Sequence, residues 1–399
     1  MSHGNPPSSA ERLGRALVEL TRRPEMRHGD VQALCDGIAV DQLIDLACYH
    51  RVPGVVYRAL TTLDVDVGGH DLADLRAAYQ MAAMGHVRCL VELHWMHEIL
   101  SGLERPWLVV KGPVLVELGY GDPGARLYED LDLLVAPRDL ASALHLIEAA
   151  GGRVTDINWP MMAELHRAEI PMMLPSGMLG DLHWHLLVTP GARARFTISV
   201  DELLERRRSV RIGDAEVASL DVIDGLLYLC LHGSMSGGHQ LVWLKDLDQM
   251  LVAEPPEWDE LVLRARRYGA DLVAAVQLNR ARKVLGAPVP EEVVEALAGK
   301  ATWRRLWERR DSRVGPARWG GYERTGRTVM SATSRDTRAS AVQLMHSMVD
   351  DVIKPNVRAR LRRSVGDEEG EDVASLYRAV GGDRQRAAYL DEVRTGAWG

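Results

Sequence analysis

The chain has 399 residues, of which 46% are hydrophobic and 26% charged, and its formal net charge is −8. These values belong to a soluble globular protein long enough for two or three domains, and no apolar run nears the ~20 residues of a membrane span. The acidic total argues against a nucleic-acid coat, and the opening Met-Ser-His-Gly-Asn-Pro-Pro lacks the charged-then-apolar order of a secretory signal.

Taken in chain order, residues 1–10 are expected to be disordered. Residues 10–105 read as helical: Leu43, Leu46, Ala47 and Leu60 fit apolar faces, and 71–104 is a long run without proline. The pattern then changes to short β-type apolar runs at 107–110, 131–135 and 179–187. A helix is expected between them at 137–150, opened by Pro137 and closed by Gly151-Gly152. This alternation indicates a small α/β unit, followed by a strand pair at 209–219. From Leu220 to about 310 the helical period returns. The expected organisation is an N-terminal helical region (1–105), an α/β core (106–219), a helical C-terminal domain (220–310) and a basic, partly helical tail (311–399). Four scattered cysteines, Cys35, Cys48, Cys89 and Cys230, form no CxxC pair, so reduced, buried thiols in the cytoplasm are expected.

The chemistry concentrates in residues 107–135. Trp-Leu-Val-Val runs as a buried strand into a Lys111-Gly112 turn, with Pro113 placed to open a helix. After a short gap, Asp130 and Asp132 sit at i and i+2 on a second strand. A period of two puts both carboxylates on one face and Leu131 and Leu133 on the other. Paired carboxylates beside a phosphate-sized turn suit Mg²⁺-dependent phosphoryl or nucleotidyl transfer. Two further D-x-D pairs carry less weight. Asp64-Val65-Asp66 abuts Gly68-Gly69 in a loop, and Asp246-Leu247-Asp248 lies in a helical period where i and i+2 diverge.

A third carboxylate is expected from a neighbouring strand, and Asp181 is the candidate. Alternation in Asp181-Leu-His183-Trp184-His185-Leu186 places Asp181, His183 and His185 on one face. A zinc site on the two histidines is the rival reading, but it lacks a cysteine or distant histidine partner at standard spacing. Gly112 lets a backbone approach a phosphate, the following helix start offers N–H groups, and Lys111 adds charge or pairs with one of the acids. Arg126 either holds a phosphate or braces the loop. His232, Trp243, Lys245 and Asp246 are the helical residues best placed to turn toward the cleft, but a core Trp and a Lys–Asp surface pair are the favoured reading. Residues 301–366 carry fifteen Lys/Arg against six Asp/Glu, a basic stretch that would contact RNA or form a solvated helical face.

With these residues in hand the chain resembles the nucleotidyltransferase family of uncharacterised bacterial proteins within the polymerase-beta-type superfamily, over roughly residues 30–295. The resemblance rests on Val-Val-Lys111-Gly112, on Arg126…Glu129-Asp130-Leu-Asp132-Leu-Leu-Val and on Asp181-Leu-His183-Trp184. It continues through Leu231-His232-Gly233, Trp243-Leu-Lys245-Asp246, Ala265-Arg266 and Leu285-Gly286-Ala287-Pro288-Val-Pro290. It implies an α+β fold, a small mixed sheet flanked by helical regions. Asp130, Asp132 and Asp181 would bind Mg²⁺ or Mn²⁺, with Asp181 accepting the acceptor's proton. Lys111, Gly112, Arg126, His183 and Lys245 would contact the nucleotide. The implied reaction moves an NMP group from an NTP, ATP the expected donor, to a hydroxyl or phosphate of a small molecule or peptide, releasing pyrophosphate. The alternatives are the same chemistry on RNA or protein, and a non-catalytic nucleotide-binding protein. One departure is visible: better-studied members carry Gly-Ser or Gly-Gly at the phosphate turn, where this chain has Lys111-Gly112-Pro113.

Overall fold

The computed structural model describes residues 9–68, 71–298 and 382–396, with a few positions between 302 and 345. Most of the basic stretch 301–366, most of the expected tail and residues 1–8 therefore lie outside the described residues. The N-terminal region is helical, as its apolar spacing predicts. Helix α1 (Ser9–Thr21) buries Leu13, Ala16, Leu17 and Leu20, the i, i+3, i+4, i+7 stripe of an amphipathic helix. Helices α2 (Val31–Cys35), α3 (Val40–Tyr49) and α4 (Pro53–Thr62) follow, and α5 (Ala73–Ile99) runs for 27 residues.

The sheet begins with β1 (Leu108–Val110), and a short helix α6 (Pro113–Leu115) passes directly into a π-helical turn at Val116–Tyr120. Strand β2 (Asp130–Leu134), helix α7 (Leu140–Ala149), β3 (Arg153–Val154), α8 (Trp159–Glu164), β4 (Glu169–Met173) and β5 (Leu179–His183) come next. Two short helices, α9 (Pro190–Arg193) and α10 (Val200–Arg206), lead to the hairpin of β6 (Arg208–Ile212) and β7 (Ala215–Ser219). The seven strands form one mixed sheet in the order β3-β4-β5-β2-β1-β7-β6. β2 runs parallel to β5 and antiparallel to β1, and β1 runs parallel to β7. The fold is therefore α+β, with helices on both sides of a mixed sheet. Strands β3 and β4 are additions to the expected set, and the expected run 179–187 stops as a strand at His183.

Alternation decides what each sheet face meets. Val109, Leu131, Leu133, Ile170, Met172 and Leu182 join Cys89, Leu93, Leu144 and Ile147 of α5 and α7 in one apolar core. The opposite face carries the carboxylates and looks toward the other helices. These are α11 (Val222–Met235), α12 (Leu241–Ala253), α13 (Trp258–Arg267), α14 (Asp271–Leu285) and α15 (Glu291–Ala298). They share one core with α1, α3 and α4, so the helices before and after the sheet in sequence form one body in space. No described helix is long and apolar enough to cross a membrane. Cys35, Cys89 and Cys230 are buried free thiols, but Cys48 is exposed, because α3 turns that position to solvent.

A last helix, α16 (Asp383–Arg394), returns to the sheet domain. Tyr389 Oη donates to the Arg167 carbonyl at 2.9 Å and accepts from Trp184 Nε1 at 3.1 Å, and Arg386 forks Glu148 at 2.9 and 2.6 Å.

The contact between the helical body and the loop before β2 is unusually close. A Cβ at Gly54, in the first turn of α4, would lie 2.0 Å from the Gly124 carbonyl oxygen. Gly54→Ala must therefore push this loop away, and we expect a loss of about 1–3 kcal/mol in urea unfolding, the usual cost of overpacking. Unchanged stability would show that the loop yields freely.

Candidate active site

The register of the central strands assembles one polar face. Asp132 pairs with Asp181 across β2 and β5, and Glu169 of β4 pairs with His183 of β5. Directly paired residues point to the same side of a sheet, and so do i and i+2. Asp130, Asp132, Asp181, His183 and Glu169 thus share one face, while their apolar neighbours fill the core behind. Glu169 is a site residue that sequence reasoning missed.

Asp132 is the centre of this face, only 2% exposed. Lys111 Nζ lies 2.8 Å from its Oδ2, and His183 Nε2 donates to its Oδ1 at 3.0 Å. Burial alone would raise its pKa, but Lys111 and His183 overcome that and hold it well below the usual carboxylate range. Burial would likewise depress Lys111, yet the fields of Tyr228 and Asp132 keep it above the lysine range, so it stays charged. Asp130 is raised, by burial first and then by Asp132, against the opposing pull of Lys111 and of Arg51. Asp181 is pushed up to about 6, by burial and by the charges of Asp132, Glu169 and Asp130, with His183 pulling the other way.

Lys111 reaches Asp132 because the β1 exit is a strained turn. Lys111 has φ +50° and Gly112 φ +43°, ψ −112°, the latter open in practice to glycine alone. The helix start beyond it offers fewer free donors than the sequence suggested. Pro113 has no N–H, Val114 N donates to the Lys111 carbonyl at 3.0 Å, and Val116 N donates to that of Gly112 at 3.3 Å. The positive charge at this turn is therefore mainly Lys111.

The remaining predicted residues divide. Arg126 forks Asp246, Nε to Oδ1 at 2.7 Å and an amino nitrogen to Oδ2 at 2.9 Å, and Tyr120 donates to the same carboxylate at 2.8 Å. This geometry braces the loop before β2, and the other amino group of Arg126 is buried without a hydrogen bond. Lys245 bonds Asp248 at 3.1 Å within α12, and Asp248 also takes Arg23 at 3.0 Å, so Asp248 ties α12 to the N-terminal region. The Lys–Asp surface pair is thus corrected: Lys245 and Asp246 are both buried, Lys245 against Asp248 one turn along the helix and Asp246 against Arg126. His185 leaves the predicted face, because the chain turns after His183. Its Nε2 donates to the Ile198 carbonyl at 3.1 Å and its Nδ1 accepts from Leu187 N at 2.9 Å, which uses both nitrogens and removes it from the zinc reading. His232 is half-buried and faces the site electrostatically. Burial and then the charge of Lys111 lower its pKa to about 3, so its imidazole is neutral.

These residues fit a divalent cation. Ligand atoms of Asp132, Asp181 and His183 lie within 4.8 Å of one another, whereas Asp130 stands outside that group. His183 Nδ1 is buried without a hydrogen-bond partner. Four carboxylates on the face are countered by Lys111 and, at its edge, by Arg167 on Glu169. Burial first, and the neighbouring carboxylates after it, raise Asp181, and a bound cation would offset both.

Two consequences are measurable. A carboxyl with pKa about 6 folded, against about 3.9 unfolded, binds more protons in the native state between those values. Its contribution is most favourable below about pH 4 and is lost as pH rises through 6. With chelator present, Asp181→Asn is expected to melt above wild type at pH 8, the gap narrowing by pH 5; a lower melting point at pH 8 would contradict this. Arg126→Leu strands Asp246 in the core and is expected to cost about 3–5 kcal/mol in denaturant unfolding.

Among curated proteins none matches the chain. A family's sequence model does, over residues 36–286, a span that contains α3 to α14 and every residue of the polar face. With that match covering well over half of its length, the chain belongs to the family described as uncharacterised nucleotidyltransferase.

Proposed function

We propose that this protein is a metal-dependent nucleotidyltransferase that moves an NMP group from an NTP to a hydroxyl or phosphate of a small-molecule or peptide acceptor. The observation that carries this reading is the one-face assembly of Asp130, Asp132, Asp181 and His183 beside the Lys111-Gly112 turn, in a chain of a nucleotidyltransferase family. Asp132 and Asp181, with His183, would hold Mg²⁺ or Mn²⁺. The ion, when bound, neutralises charge on the oxygens of the transferring phosphoryl group.

The chain's own groups supply the rest. Lys111, at the exit of β1, would meet a donor phosphate, and Gly112 would let that phosphate approach the backbone. Asp181, raised toward neutrality, is poised to take the proton of the acceptor hydroxyl as its oxygen attacks the α-phosphorus and pyrophosphate departs. Arg126 acts through the loop, by fixing the approach to Asp130. The net charge of −8 favours a small acceptor over a polyanion. ATP is the expected donor and the cytoplasm the expected compartment.

Calorimetric titration of each NTP, with and without Mg²⁺ or Mn²⁺, tests this reading on wild type and on Asp130→Asn/Asp132→Asn. The expected result is metal-dependent binding of one NTP, weakened on the order of a hundredfold in the double variant. No binding of any NTP under any of these conditions would overturn it.

A further inference from the structure

The most unusual member of the polar face is its imidazole. His183 is 3% exposed, and Nε2 donates to Asp132 at 3.0 Å, which turns Nδ1 away from that carboxylate. That nitrogen is buried without a hydrogen-bond partner. It faces Glu169 Oε2 at 3.9 Å, inside the roughly 4.2 Å that two ligands about 2.1 Å from one ion can span. Asp181 shares the face, and a carboxylate oxygen of it lies within 4.8 Å of a ring nitrogen of His183. We propose that His183 Nδ1 and Glu169, with Asp181 beside them, bind a divalent ion of the manganese-to-zinc series in preference to Mg²⁺.

The arrangement has the form of a metal-binding histidine whose second nitrogen is oriented by a carboxylate, here Asp132. Glu169 already has one partner, Arg167, whose side chain is 31% exposed and has solvent to turn into. Mg²⁺ prefers oxygen ligands in near-ideal octahedral geometry, whereas a nitrogen ligand favours the transition series. The inference rests on the metal-dependent reading above and refines its ligand set: Asp181 and His183 stay, Glu169 is added, and Asp132 orients the ring through Nε2.

Mn²⁺ itself is the probe, added to the full-length protein and followed by electron paramagnetic resonance. The expected result is a bound Mn²⁺ whose pulsed spectrum shows ¹⁴N coupling, replaced by ¹⁵N coupling in protein grown with ¹⁵N-histidine. This arm needs no variant and so cannot be confused with misfolding. The coupling is expected to vanish in His183→Gln, Glu169→Gln to weaken Mn²⁺ binding about 10–100-fold, and a tenfold excess of Mg²⁺ to leave the Mn²⁺ in place. Bound Mn²⁺ without histidine coupling, or its displacement by equimolar Mg²⁺, overturns the nitrogen ligand and leaves nucleotidyl transfer standing. Absence of Mn²⁺ and Mg²⁺ binding, with or without NTP, overturns both readings.

Discussion

A carboxylate as buried as Asp132 carries a desolvation penalty of several kcal/mol unless cations and donors surround it, and much of the structure can be read as what surrounds it. Lys111 supplies the charge, and it can do so only from the end of β1, with the backbone bent into left-handed territory and glycine next in line. His183 supplies the second contact, which requires β5 to run parallel to β2 with Asp181 paired to Asp132. The order β5-β2-β1 at the centre of the sheet is therefore the order that lets one buried charge exist. The outer strands and the helices hold those three in place.

The segment after Lys111-Gly112 has a second duty. Within the π-helical turn, Glu117 contacts His86 of α5 at 2.9 Å, whose other nitrogen meets the Tyr128 hydroxyl at 2.8 Å, while Tyr120 reaches Asp246 of α12. One short piece of backbone thereby touches the long helix before the sheet and the helices after it. Such turns recur at functional sites because the extra residue redirects side chains that a regular helix would aim elsewhere. The result is a phosphate-sized turn clamped from both sides, with little freedom to drift.

What was legible in the sequence follows from range. Asp130, Asp132 and Asp181 stand out because a period of two is local, and charges among Leu and Val on a strand need a reason. The long α5 and the helical character of 220–298 were legible from apolar spacing alone. Glu169 was not, because Pro171 sits inside its strand and proline argues against a strand interior. The structure tolerates it because β4 has only the two-residue β3 beyond it, so it is close to an edge. Lys245 and Asp246 looked like a surface pair because the contacts that hold α12 in the interior here, Arg126–Asp246 and Arg23–Asp248, join residues more than a hundred positions apart. His185 kept its alternation only on paper: the chain turns after His183, and the next histidine serves the backbone instead.

The return of α16 to the sheet has a consequence for how the molecule is made. Trp184, next to the histidine of the site, bonds Tyr389, 205 residues further along the chain. During synthesis the central strands emerge long before that helix does, so β5 waits for its last lateral support until the chain has passed Arg394. A ribosome-bound or truncated chain lacking it would present the acidic face on a strand still able to shift. The assembly of this sheet is thus tied to synthesis of the chain through this stretch.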